Sequence, residues 1–189
     1  MTKHILISGA RGVGKSTLIE RLLAENFLPL HGFITKRLET ADAKGFYPIH
    51  IYPLGAKWTH AEGQYWQLPA ERNLLGTCNS KTHNVNRHVF NELGVQYIES
   101  AEPGGLIIMD ELGFMEARAE DFKKAVFNAL NGDIPVIAAV KNRTDVDFLN
   151  DLRTHENVVV YNIDESNRDA LYSELLPIIR EWNAKYRIK

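Results

Sequence analysis

Near its N-terminus the chain reads Gly9-Ala10-Arg11-Gly12-Val13-Gly14-Lys15-Ser16. The apolar run Ile5-Leu6-Ile7 precedes this segment, and Leu18, Ile19, Leu22 and Leu23 follow it at helical spacing. The pattern G-x-x-x-x-G-K-[ST], set between a strand and a helix, constrains the fold more than any other feature. Glycines let a tight turn enter positive φ and bring backbone N–H groups against an anion. The helix that follows aims its free N–H groups and its dipole at the same point. The segment is therefore expected to cradle the phosphates of a nucleoside triphosphate with Gly9, Ala10, Arg11, Gly12, Val13, Gly14, Lys15, Ser16 and Thr17. Lys15 would bring a mobile charge to the β and γ phosphates, Ser16 a hydroxyl to Mg²⁺, and Thr17 a contact to the α phosphate.

Downstream, apolar runs alternate with helical patterns. Residues 106–110 (LIIMD), 134–140 (IPVIAAV) and 158–163 (VVVYNI) read as strands buried on both faces. Helices are expected over 119–131, with Gly132 beyond the end, and over 146–153. A last helix, capped by Ser166 or Asn167, should run to about Tyr186, with Pro177 kinking it or starting a new turn. Such alternation predicts an α/β fold, a mostly parallel central sheet flanked by helices. Segments 32–39 (GFITKRLE) and 45–54 (GFYPIHIYPL) are rich in β-branched and aromatic residues, and 40–45 reads as a turn, so an antiparallel hairpin is inserted after the first βα unit. Residues 84–90 read as a further edge strand and 90–101 as a helix. Residues 55–82, with Gly55, Gly63, Pro69 and Gly76, show no sustained period and read as a functional loop or small insert.

The 189 residues suit one domain, 1–189, with a substantial core. A formal charge of −2 gives no general attraction to nucleic acid or anionic lipid. The single cysteine, Cys78, excludes an intrachain disulfide and fits a reducing compartment; it reads as a plain thiol more readily than as a nucleophile. No apolar stretch approaches the ~20 residues of a membrane span, and the first apolar run is too short for a signal peptide. The expected location is cytoplasmic, with no membrane partner and none indicated among nucleic acids.

Asp110-Glu111 ends the run LIIM, where a P-loop protein carries a metal-holding acid. Asp110 is expected to face Ser16 across Mg²⁺, and Glu111 to sit beside the γ phosphate, where a carboxylate orients and polarises an attacking water. The alternative is a pair of helix N-terminal charges. Arg11 is a candidate to flank the γ phosphate, or merely faces solvent. Thr35, Lys36 and Arg37 follow the first helix, where a cation could stabilise transition-state charge. Lys141 and Arg143 lie beyond a strand's carboxyl end, where ligands enter open α/β sheets, and are candidates for base, ribose or phosphate contact. Asn167-Arg168 could touch the base, although capping explains Asn167 equally well. Phe46, Tyr47, Tyr52, Trp58, Tyr65 and Trp66 could stack on a base, but such residues more often form a hairpin core. The seven histidines show no zinc-ligand spacing.

Three elements together, GARGVGKST, Gly32-Phe33-Ile34-Thr35 and Asp110-Glu111-Leu112-Gly113-Phe114-Met115-Glu116, resemble the small nucleoside-triphosphatases of the thermophile and cancer-related type. The likeness extends weakly to Asn167-Arg168 and covers most of the chain apart from 55–82. It implies a RecA-like P-loop fold and slow, Mg²⁺-dependent hydrolysis of nucleoside triphosphates, ATP or GTP foremost, with loose base preference. It carries Lys15, Ser16, Thr17, Asp110 and Glu111 to matching roles. Phe114 departs from the lysine that many relatives have there. Two other functions use the same loop: a small-molecule or nucleotide kinase, with Lys141, Arg143 and Arg153 as a basic lid, and a nucleotide-dependent binding switch.

Overall fold

The computed structural model describes residues 4–55 and 71–186. One sheet of eight strands organises them. Strand β1 (His4–Gly9) leads into the glycine loop and helix α1 (Lys15–Leu23). Strands β2 (Leu30–Arg37) and β3 (Tyr47–Pro53) form the hairpin, followed by β4 (Leu74–Cys78) and β5 (His83–Val85). A helix, α2, covers 87–99 and passes through a π turn at Phe90–Gly94. Strand β6 (Leu106–Leu112) runs into a 3₁₀ turn (Met115–Arg118) and helix α3 (Glu120–Asn131). Strand β7 (Val136–Lys141), helix α4 (Asp147–Thr154), strand β8 (Val158–Asn162) and helix α5 (Arg168–Tyr186) complete the order.

Across the sheet the strands lie β5-β4-β3-β2-β6-β7-β1-β8. From β2 to β8 every neighbour is parallel, whereas β3, β4 and β5 extend one edge antiparallel. Strand β7 separates the strand that feeds the glycine loop from the strand that carries Asp110. All parallel strands point their carboxyl ends to one rim, so Gly9, Asp110 and Lys141 share that rim although they are distant in sequence.

The apolar runs are continuous because both faces of the sheet are covered. Leu6, Ile107, Met109 and Ala138 point into a core with Phe33, Phe90, Phe122, Val126 and Leu149. Ile5, Ile7, Leu106, Ile108, Ile137 and Ala139 point into a second core with Leu18, Ile19, Leu22, Leu175 and Ile179. The face thus alternates residue by residue along each strand. No helix of the described residues is long and apolar enough to cross a membrane.

The expected antiparallel hairpin is present as β2 and β3; β2 also joins the parallel set through β6, and β4 and β5 lengthen the antiparallel edge. Three sequence expectations change. Within the illegible stretch 55–82 lies β4, which hides in the sequence because Gly76 interrupts it. Gly76 sits at φ +154, and a Cβ there would lie 2.0 Å from the Asn84 carbonyl oxygen, so the close pairing with β5 needs glycine. The stretch 84–90 is not one strand: β5 ends at Val85 and α2 starts at Arg87. Finally, VVVYNI is the sheet's edge and not a strand buried on both faces, with Val159 38% exposed. Pro177 lies inside a helix that continues through it. Trp58, Tyr65 and Trp66 fall outside the described residues.

Candidate active site

The glycine loop adopts the backbone that its composition demands. Gly12 and Gly14 have φ of 75° and 102°, a region that side-chain-bearing residues rarely enter. Val13 is buried under the loop while Ala10, Arg11 and Gly12 are exposed at its mouth. Lys15 opens α1 and is only 5% exposed. Its Nζ donates to the carbonyls of Gly9 at 3.0 Å and Ala10 at 2.9 Å, so the ammonium folds back over the loop. Thr17, two residues along, is exposed.

Asp110 and Glu111 meet this loop from β6. A register shift between Asp110 and Leu112 leaves Glu111 as an extra residue against β7. Such a bulge re-aims side chains at a strand end. Ser16 Oγ donates to Asp110 Oδ1 at 3.1 Å, and Lys15 Nζ lies 3.9 Å from Glu111 Oε2. The Glu111 N–H donates to Thr35 Oγ1 at 3.3 Å, which ties the bulge to the end of β2. Burial pushes the Asp110 carboxyl up to about 6; the Ser16 hydroxyl opposes this, the Glu111 charge adds to it and the Lys36 charge opposes it.

The Ser16 hydroxyl and Asp110 carboxylate are hard oxygen donors of the kind that suits Mg²⁺, which takes few protein ligands and keeps waters and substrate phosphates for the rest. A buried carboxyl with a raised pKa facing a hydroxyl is what a cation at that point would return to the ionised form. The residues therefore fit the ion. Among the described residues no group of three or more His, Cys, Asp or Glu could hold a metal.

The remaining candidates are placed as follows. Arg37 turns its guanidinium over the Tyr47 ring, 3.8 Å from the centroid, so of the three β2 residues it is Thr35 and Lys36 that face the acids. Lys141 and Arg143 lie over the Phe114 ring at 5.2 and 5.1 Å, and Arg143 pairs with Asp145 through two contacts. Arg153 donates to the carbonyls of Lys141 and Arg143, which staples that loop to α4 and does not leave it a free lid. Asn167 uses its side chain locally: Oδ1 accepts from Asp164 N and Nδ2 donates to Asn162 O. Tyr52 is buried and Cys78 is half-buried and unbridged.

Two residues were given no phosphate-loop role by the sequence reading. Arg168 Nε donates to the Val13 carbonyl at 2.7 Å, and its side chain lies within van der Waals contact, 3.4 Å, of where a Cβ on Gly14 would stand. Through the hydrogen bond to Val13 the first turn of α5 braces the loop from 155 residues away. The Asn-Arg pair was visible, but nothing local in sequence shows which part of the chain it meets. Glu116 was visible inside the DELGFME element; it is fully buried and accepts from the Gly113 N–H, closing the turn after β6.

Arg168→Ala should raise KM for a nucleoside triphosphate about ten-fold and change kcat less, because the lost charged hydrogen bond supports the loop and not the reacting atoms. Arg168→Lys should recover part of the loss. Equal KM in Ala and parent chains, read from steady-state phosphate release, would contradict a bracing role.

The chain is similar to known proteins over most of its length. The family model described as NTPase matches residues 4–176. A nucleoside-triphosphatase THEP1 of Thermotoga petrophila is 31% identical over 179 residues, covering 93% of this chain and 92% of the relative. The protein of the same name from Thermotoga maritima is 30% identical over 179 residues, covering 93% and 95%. The crystal structure of THEP1 from Aquifex aeolicus superposes with a TM-score of 0.70 at 22% identity, covering 93% of this chain and 98% of that one. This last likeness bears on the fold alone: an eight-stranded, mostly parallel α/β sheet of the P-loop type. With the matched model spanning most of its length, and relatives named nucleoside-triphosphatase alike over most of theirs, the chain belongs to the NTPase family.

Proposed function

We infer that the chain hydrolyses nucleoside triphosphates to the diphosphate and phosphate in a Mg²⁺-dependent reaction, slowly and with loose base preference. The single observation that carries this reading is the convergence of Lys15, Ser16, Asp110 and Glu111 at one rim of the sheet, with Ser16 to Asp110 at 3.1 Å and Lys15 to Glu111 at 3.9 Å. The names of the relatives, nucleoside-triphosphatase THEP1, support the same reaction.

The loop N–H groups of residues 9–17 receive the phosphates, and Lys15 exchanges its carbonyl partners for β and γ oxygens. Ser16 and Asp110 would hold Mg²⁺, which when bound supplies neutralisation of charge on the β and γ oxygens. Glu111 accepts a proton from water as the water oxygen bonds to Pγ. The bond from Pγ to the bridging oxygen breaks, and the diphosphate leaves with that electron pair. Arg37, Arg143, Arg153 and Arg168 are engaged with Tyr47, Asp145, backbone carbonyls and Val13, which supports slow turnover, since P-loop enzymes without an arginine finger hydrolyse slowly. Arg11, exposed in the loop, and Lys36, whose charge acts on Asp110, are the cations of the sequence analysis that remain near the acids and the loop. The chain acts as one domain over 1–189 on ATP or GTP, and its single cysteine suits a cytoplasmic setting.

The test is phosphate release from ATP, GTP, CTP and UTP, each with Mg²⁺ and with EDTA. Release from all four at comparable rates, lost on chelation, is expected. No release from any nucleotide would overturn the reaction, and undiminished release in EDTA would overturn the role of the metal.

A further inference from the structure

Beyond the acids, the turn after β6 meets β5 and the start of α2 around a cleft of about 460 Å³. Its wall includes His83, Asn84, Arg87, Phe114, Met115 and Arg118, and no residue of the 9–17 loop lines it. It is therefore separate from the phosphate cradle. It stands on the antiparallel half of the sheet, on the side of β6 away from β1. Phe114, three residues after Glu111, lines the cleft and also lies beneath Lys141 and Arg143.

The described lining carries charge of one sign. Arg87 and Arg118 are both exposed, and no acidic residue is among the described lining residues. Neighbouring acids are engaged elsewhere: Glu92 pairs with His88 at 3.1 Å, and Glu120 with Lys123 at 3.1 Å. Phe114 packs edge-on to His83, with centroids 4.8 Å apart, and carries Lys141 and Arg143 over its ring. Two guanidiniums and an imidazole thus line the cleft with Phe114, and Lys141 and the Asp145-paired Arg143 stand over that ring, in a protein of net charge −2.

We propose that this cleft binds a phosphorylated small molecule of nucleotide size, in addition to the triphosphate on Gly9–Ser16. The volume lies in the range of small-molecule sites, about 300–1,000 Å³. Guanidiniums such as those of Arg87 and Arg118 match phosphate oxygens in donor number and geometry. Met115 and Phe114 give apolar surface for the ring system of such a ligand. A polyanion is disfavoured, because the basic groups are confined to a concavity and do not form a stripe across an otherwise cationic face.

Calorimetry on the full chain tests this, with a Mg²⁺-bound non-hydrolysable ATP analogue filling the cradle and AMP or inorganic phosphate as the titrated probe. One saturable site per chain is expected, with affinity reduced at least about ten-fold by the double substitution Arg87→Glu and Arg118→Glu. A melting temperature like the parent's shows that the double variant is folded. AMP binding more tightly than phosphate assigns the site to a nucleotide-like ligand; equal binding assigns it to the phosphate group alone. Lys15→Ala, which disables the cradle, should keep the AMP site, so failure of the nucleotide reading and failure of this one are distinguishable. No saturable binding of either probe, or equal binding in the double variant, overturns the proposal.

Discussion

Glu111→Gln is expected to lower kcat for phosphate release by about 10²–10⁴-fold, the usual range for loss of a general base. That corresponds to roughly 3–5 kcal/mol in the barrier. The substitution keeps the shape of the side chain and removes its capacity to take a proton. The backbone link from Glu111 N–H to Thr35 Oγ1 does not involve the carboxylate, so the bulge that aims residue 111 is retained. Nucleotide affinity should hold or rise. In the free protein the carboxylate lies 3.9 Å from Lys15 Nζ, a loose pair that gives way when Lys15 turns to phosphate. Removing a negative charge beside the γ phosphate also removes a repulsion. Single-turnover release and equilibrium binding of a fluorescent nucleotide separate the two quantities. A variant with unchanged kcat would assign the proton to another acceptor. A variant that loses binding and turnover together would make Glu111 a structural partner of Lys15.

The parallel half of the fold was legible in the sequence because its signals are local. Runs such as LIIM and VIAAV have an apolar residue at every position only when helices cover both faces, and the glycine loop carries its own conformational demand at Gly12 and Gly14. The edge elements were less legible. Nothing in VVVYN distinguishes a buried strand from an outermost one, since the difference lies in what stands beside β8 and not in its residues. Strand β4 was obscured by a glycine whose reason is a partner strand's carbonyl. At the rim, Lys15, Ser16, Asp110 and Glu111 could be placed together because motif and strand end specify them independently. Arg168 and the Phe114 cleft could not, because each depends on an approach between segments far apart in the chain.

Glu116 carries the other large expected effect, on stability. Its carboxyl is buried beneath the turn, and burial raises it to about 7, opposed by hydrogen bonds from the Gly113 N–H and its own backbone and by the Lys141 charge. The native state therefore holds a proton that the unfolded chain releases near the ordinary 4.5. Wherever the native state binds more protons, stability falls as pH rises. The stabilisation is complete below pH 4.5 and is lost as pH passes through about 7, amounting to roughly 3 kcal/mol over that window. Asp110, raised from 3.8 to about 6, acts in the same direction at lower pH. Glu116→Gln keeps an oxygen to accept from Gly113 and removes the buried charge. Denaturant melts of the nucleotide-free protein should show the parent losing about 3 kcal/mol between pH 5 and pH 8 through Glu116 alone. The variant should lose only the share due to Asp110, about 1 kcal/mol, and so exceed the parent at pH 8. Identical pH profiles for the two chains would mean that Glu116 is ionised in the native turn. A variant less stable at every pH would mean that its carboxylate is needed as the acceptor for Gly113, with Lys141 as its counter-charge.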